Sequence, residues 1–253
     1  NRPKTFERSA LRGSNTEESA TYKAEQDISK PLLKHAIGAN ASSNEFGAFN
    51  KTELMFTYAI HLPIYKDVSL SFGLSGGLNN YGFNESRATV IVDNDPVYNA
   101  YLTGENANKL NVNAGTYLYS DQFFIGYSAN QILQNKLELA DVDVNSGVNS
   151  VELHHFIIGG FNYDINNDFR LTPNVIIKSI RSNPTSIDIN ATVTYKQTIY
   201  LGFTYRTTDA VSIMGGFQFN HFLRAGYSYD YTISDLKGQT NGSHELFIGL
   251  TLF

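Results

Sequence analysis

The sequence predicts an all-β fold, a transmembrane antiparallel up-and-down β-barrel, and three observations carry that reading. Apolar and polar residues alternate with period two in run after run, the mark of strands with two different faces. No uninterrupted apolar stretch approaches the roughly 18–20 residues that a membrane-crossing helix needs, whereas a barrel strand needs only about 10 alternating residues. The connections between the runs alternate between short and long, as they do in barrels with short turns at one rim and longer loops at the other.

A chain of 253 residues suits one large β domain, so residues 1–253 are read as a single unit. Charged residues make up 17%, and a net charge of −5 is scattered along the chain. A nucleic-acid surface would need clustered Lys and Arg instead. The absence of Cys excludes disulfides and thiolate metal sites. The chain begins Asn1-Arg2-Pro3-Lys4 with no signal peptide, the expected appearance of a mature or truncated chain.

Strands are expected near 4–11, 35–42, 51–63, 67–78, 109–119, 122–130, 151–164, 168–178, 185–195, 198–205, 211–219, 223–231 and 244–253. In 51–63, Leu54, Phe56, Tyr58 and Ile60 oppose Glu53, Met55, Thr57 and His61. In 67–78, Leu70, Phe72 and Leu74 oppose Ser71, Gly73 and Ser75, and in 185–195 Ile187, Ile189 and Val193 oppose Asp188, Asn190 and Thr194. The second face is small or polar, as a wet lumen requires. A soluble sandwich also alternates, but it packs bulky groups from two sheets into its core.

Counted back from the C-terminus, the connections are 232–243 (long), 220–222, 206–210 (medium), 196–197, 179–184 (medium), 165–167, 131–150 (long), 120–121, 79–108 (very long), 64–66 and 43–50 (medium). With the C-terminus periplasmic, the short turns fall on the periplasmic side and the others face outward. Thirteen strands is an odd number, and bacterial single-chain barrels have an even one. A missing or truncated first strand would bring the total to fourteen. The polar, charged segment 12–34 is an insertion on the nominally periplasmic side, either a solvated excursion or a periplasmic contact site.

Little points to chemistry. None of the six histidines sits in a metal-ligand spacing, and the neighbours His154 and His155 point to opposite faces of one strand. Ser243, His244 and Glu245 are sequence neighbours on a strand, so they cannot converge as a triad. Gly-Leu-Ser-Gly-Gly at 73–77 lacks the strand–elbow–helix setting of an esterase. The expectation is therefore a protein that is not an enzyme, with no catalytic residue, metal or cofactor. Charges of both signs face the lumen, which suits an open polar channel and a plugged barrel equally. Among them Arg206, Arg224, Asp230 and Glu245 lie on neighbouring strands and are expected to form a salt-bridged cluster in the wall.

In the closing hairpin, Leu246, Ile248, Leu250 and Leu252 share a face that Phe253 does not, which predicts a bulge or a slipped register. A soluble secreted β-sandwich is a weaker reading of the same alternation.

Several blocks resemble the PorP/SprF family of type IX secretion system outer-membrane proteins. They are Glu-Phe-Gly-Ala-Phe-Asn-Lys-Thr-Glu-Leu (45–54), Leu-Ser-Phe-Gly-Leu-Ser-Gly-Gly (70–77), Asp-Asn-Asp-Pro-Val (93–97), Asn-Gln-Ile-Leu-Gln-Asn-Lys-Leu (130–137), Tyr-Arg-Thr-Thr-Asp-Ala-Val-Ser (205–212) and Gly-Tyr-Ser-Tyr-Asp-Tyr-Thr-Ile-Ser-Asp-Leu (226–236). They run in family order over residues 35–253. The resemblance implies a barrel in the outer membrane of a Gram-negative bacterium, serving secretion and, in gliding bacteria, surface adhesins. Its expected partners are the type B C-terminal domain of a secreted surface protein, translocon or periplasmic ring and motor components, and outer-membrane lipid, with no nucleic acid. Candidate partner-facing residues in the matched blocks are Asp95, Pro96, Asn135, Lys136, Tyr229, Tyr231, Asp235 and Leu236. The alternative is a passive or substrate-specific outer-membrane channel for small solutes.

Overall fold

The computed structural model of the chain describes residues 33–88, 107–135, 151–207, 209–219, 222–238 and 240–251. Most of them lie in antiparallel strands: β1 (Lys34–Phe46), β2 (Phe49–Tyr65), β3 (Val68–Phe83), β4 (Ala107–Tyr119), β5 (Phe123–Asn130), β6 (His154–Phe161), β7 (Tyr163–Asp164), β8 (Phe169–Ile180), β9 (Asn183–Tyr195), β10 (Ile199–Arg206), β11 (Ala210–Gln218), β12 (Leu223–Thr232) and β13 (Ser243–Leu250). They form one sheet in sequence order, with the two-residue β7 pairing β8 off the main path. The twelve long strands correspond to the twelve expected from 35–42 onwards. The expected strand 4–11 lies outside the described residues, as does the insertion 12–34 except Leu33 and Lys34. Among the described residues β1 and β13 do not pair, so the sheet is not closed.

The sheet curls around a shared interior. One cavity of about 920 Å³ is lined from twelve of the thirteen strands, with Thr57 of β2, Asn113 of β4, Arg170 of β8, Tyr200 of β10 and Phe247 of β13 among its walls. Strand periodicity assigns every side chain to one of two surfaces. On β3, Ser71 and Asn79 are buried inside, while Phe72, Leu74 and Leu78 stand exposed outside. Across the sheet Leu74 pairs with Tyr58 and Ala114, keeping the outer surface in register. Large apolar residues are the exposed ones: Leu74 is 58% exposed, Phe203 50% and Leu246 73%. A sandwich in water would hide these groups, and a contiguous apolar exterior marks a surface built for another apolar phase. From β2 to β13 the outward positions of the strands include no Asp, Glu, Lys or Arg. No described helix is long and apolar enough to cross a membrane.

The two rims differ, though not as connection lengths alone suggest. One rim, the turn end, carries 66–67, 120–122, 162–168, 196–198 and 219–222. Local chemistry closes these turns. Ser120 Oγ accepts from the backbone N–H of Gln122 and Phe123, and Asn166 Oδ1 accepts from Asp168 and Phe169. At the other rim, the loop end, three connections are long: β3 to β4, β5 to β6 and β12 to β13. The segments 43–50, 179–184 and 206–210, expected as medium loops, are instead hairpin tips of two or three residues at 47–48, 181–182 and 207–209. Their strands simply continue, since Ser43, Asn44 and Glu45 pair with Thr52, Lys51 and Asn50, and polar residues on a two-stranded ribbon look like loop in the sequence. Gly47, at φ +61°, supplies the left-handed residue that closes the first of them.

The closing hairpin is regular where it is described. From Leu223↔Leu250 to Asp230↔Ser243 the register is unbroken, with Leu246, Ile248 and Leu250 outward. The expected bulge or slip is absent from these pairs, and Phe253 lies outside the described residues.

Candidate functional site

Two regions gather the expected residues: the inner wall and the loop end. The charge cluster on the inner wall centres on Asp188 of β9. Its buried carboxylate accepts from Lys178 Nζ of β8 at 2.6 Å and lies 3.4 Å from Arg206 Nε of β10. Arg206 Nη1 also reaches Asp209 at 3.2 Å and Asp230 of β12 at 3.5 Å. The structure thus joins two of the expected four, Arg206 and Asp230, directly, and adds three residues not counted in that set, Lys178, Asp188 and Asp209. Arg206 and Asp230 sit toward the loop end of their strands, whereas Arg224 begins β12 at the turn end and pairs across to Gly249. Glu245 faces inward opposite Ser228 and has no ion-pair partner among the described residues. A buried carboxylate with two cationic partners is tolerable; with none it would be costly.

A second polar group ties β2, β3 and β4. His61 Nδ1 is reached by the cross-strand Ser71 Oγ and by Tyr119 Oη at 3.1 Å, all three residues being buried. Around it the wall is laid with flat rings. Tyr117 lies over Gly126, Phe124 over Gly160, and Tyr200 with Phe247 over Gly226, each where an added Cβ would collide with the ring. Tyr200 Oη donates to the Ala225 carbonyl at 3.2 Å, and its ring stacks on Phe247 at 6.3 Å. Alternation marks all of these residues as inward; which ring meets which glycine requires the register.

At the loop end, Tyr229 and Tyr231 belong to the outer wall of β12. Tyr229 Oη donates to the Asn241 carbonyl at 3.0 Å, and Lys237 Nζ sits 5.3 Å from the Tyr231 ring centroid. Asp235 opens the 3-10 turn Asp235–Gly238, which also contains Leu236. Asn135 donates through Nδ2 to the Leu110 carbonyl at 2.5 Å, holding the first residues of its loop against β4. Asp95, Pro96 and Lys136 lie outside the described residues. The segment re-entering β6 is tied to the tip of the β8–β9 hairpin, because Glu152 accepts from the backbone N–H of Ser182 at 3.2 Å and from its hydroxyl. Those hydrogen bonds hold the Glu152 carboxyl below its ordinary range.

Histidines adjoining the outer surface follow one pattern: Nδ1 of His35, His155 and His244 meets Oη of Tyr58, Tyr127 and Tyr227 at 2.6, 2.8 and 2.5 Å. His154 points inward and His155 outward. His244 is outward while Ser243 and Glu245 are inward, so these neighbours diverge.

An up-and-down sheet with an apolar exterior, uncharged from β2 to β13, and a polar, ring-lined interior defines a β-barrel membrane protein. The family model of type IX secretion system membrane proteins PorP/SprF matches residues 9–250, and the chain belongs to that family. A search of the curated proteins gave no match.

Proposed function

We propose that this protein is a non-enzymatic barrel of the bacterial outer membrane that holds a secreted surface protein, such as an adhesin, through its type B C-terminal domain, in support of secretion or gliding. The observation that carries the reading is family membership over residues 9–250 in a chain whose exterior is apolar and, from β2 to β13, uncharged. The loop end is the extracellular, partner-facing rim: it has the long connections, and the half-exposed Tyr229 and Tyr231 stand beside it. Tyrosines of this kind are frequent anchors in protein interfaces. The turn end faces the periplasm and the translocon or motor components.

The test is affinity capture of the intact protein from outer membranes, with crosslinking from positions 229, 231 and 235. A β-rich C-terminal domain should be the principal crosslinked species, and charge reversal at Asp235 together with Tyr231→Ala should reduce capture several-fold. Failure to recover such a domain from crosslinkable wild type would overturn the reading. The cavity of about 920 Å³ favours a second reading, a small-solute channel. Solute-dependent swelling of liposomes carrying the protein would select it.

A further inference from the structure

The lumen cavity has a charge arrangement that neither reading uses. It extends to the turn end, where Asn166, Asp168 and Gln197 line it. Of its two arginines, Arg170 is neutralised by Asp164 through a fork of 2.5 and 2.8 Å. The other, Arg224, makes no ion pair with any described residue. Its guanidinium lies 6.0 Å from the Phe247 ring centroid, beside the Phe247–Tyr200 stack, and Met214 lines the same cavity. The remaining acid on that lining, Asp168, sits in the turn 162–168 at the mouth of the cavity, near Lys196. A half-buried guanidinium is partly desolvated, and a ring face recovers only part of that cost. A planar carboxylate would match the guanidinium with two parallel hydrogen bonds.

We propose that the lumen binds a long-chain monocarboxylate, with its carboxylate on Arg224 and its apolar chain along Phe247, Tyr200 and Met214. A single cation matches a single negative charge, which disfavours a phosphate monoester carrying nearly two. The cavity volume falls within the roughly 300–1,000 Å³ typical of small-molecule sites, too small for a folded domain. The flat rings and small residues leave a smooth apolar track, while Asn113, Asn130 and Asn174 line the same space and keep it wettable. This site is at the opposite end from the partner-facing rim, so its failure would leave the cargo-binding proposal standing.

The test is titration of the full chain in lipid nanodiscs with the fluorescent cis-parinaric acid and, separately, its methyl ester, against empty nanodiscs. Wild type should show saturable binding of the acid, and of the ester more weakly. Arg224→Gln should weaken the acid roughly tenfold or more and leave the ester unchanged, because only the acid has a charge-assisted bond to lose. Gly249→Phe, where a new Cβ meets nothing nearer than Arg224 Nε at 3.8 Å, should cover the guanidinium and weaken the acid as well. No saturable binding above empty nanodiscs, or equal binding of the acid by wild type and Arg224→Gln, would overturn the proposal. Heat-shifted gel mobility establishes that each variant is folded.

Discussion

Asp188 is the residue on which the inner wall most depends. It is 3% exposed and holds Lys178 and Arg206, each only partly accessible. Replacing it by Asn leaves two cations facing each other across β9, a change of the kind that costs about 3 kcal/mol. Urea unfolding in detergent micelles, followed by gel mobility, should register that loss, whereas Glu245→Gln should change little. Glu152 sets a pH dependence at the loop end. Its carboxyl is held below the ordinary value of 4.5, so its tie to Ser182 is fully present above that value and is lost as the pH falls through the lowered one. The protection of the Ser182 amide against hydrogen exchange, relative to its intrinsic rate at each pH, should drop at acid pH in wild type and show no such step in Glu152→Gln. Alternation alone placed Arg206, Arg224, Asp230 and Glu245 on one face. It did not place them at one height, although the signal existed: Arg206 ends its strand and Arg224 begins one, which in an up-and-down sheet puts them at opposite rims.

Strands report their two faces separately. An arginine at Leu74 or Phe203 would stand in the apolar exterior and should cost about 2–4 kcal/mol near the bilayer midplane. The neighbours Ser75 and Thr204 already donate or accept inside, to Thr57 at 2.7 Å and Asn190 at 2.6 Å, and should accept polar replacements. Refolding into vesicles measures both; an equal response from the two faces would reverse the assignment. Two inward glycines of β3 give a sharper contrast. A Cβ at Gly77 would overlap the Leu54 carbonyl oxygen and crowd the Met55 backbone, whereas one at Gly73 meets only ordinary contacts at 3.9 Å. Gly77→Ala should therefore impair folding of the β2–β3 pair, and Gly73→Ala should pass unnoticed in the same assay. Strand positions were legible in the sequence because period two survives in each run. Where strands end was less so: the residues 43–50 are polar, and polarity cannot distinguish a loop from a ribbon projecting beyond the apolar zone.

For the whole molecule, the class of fold followed from patterning, and the family from ordered blocks such as 45–54 and 226–236; membership over residues 9–250 bears out that resemblance. The interior was less accessible. Sequence says that Tyr200, Tyr117 and Phe124 face inward, but their arrangement depends on which glycine the register brings alongside, and that is a property of paired strands. This arrangement has a mechanical consequence. A ring seated in the recess left by a missing side chain has nowhere to rotate without striking the backbone beneath it. The bore of the barrel is then set by strand geometry rather than by rotamer choice, and its entropy has already been surrendered on folding. Such a wall is hard: whatever occupies it must arrive with a matching shape, because the lining cannot remould itself around a guest.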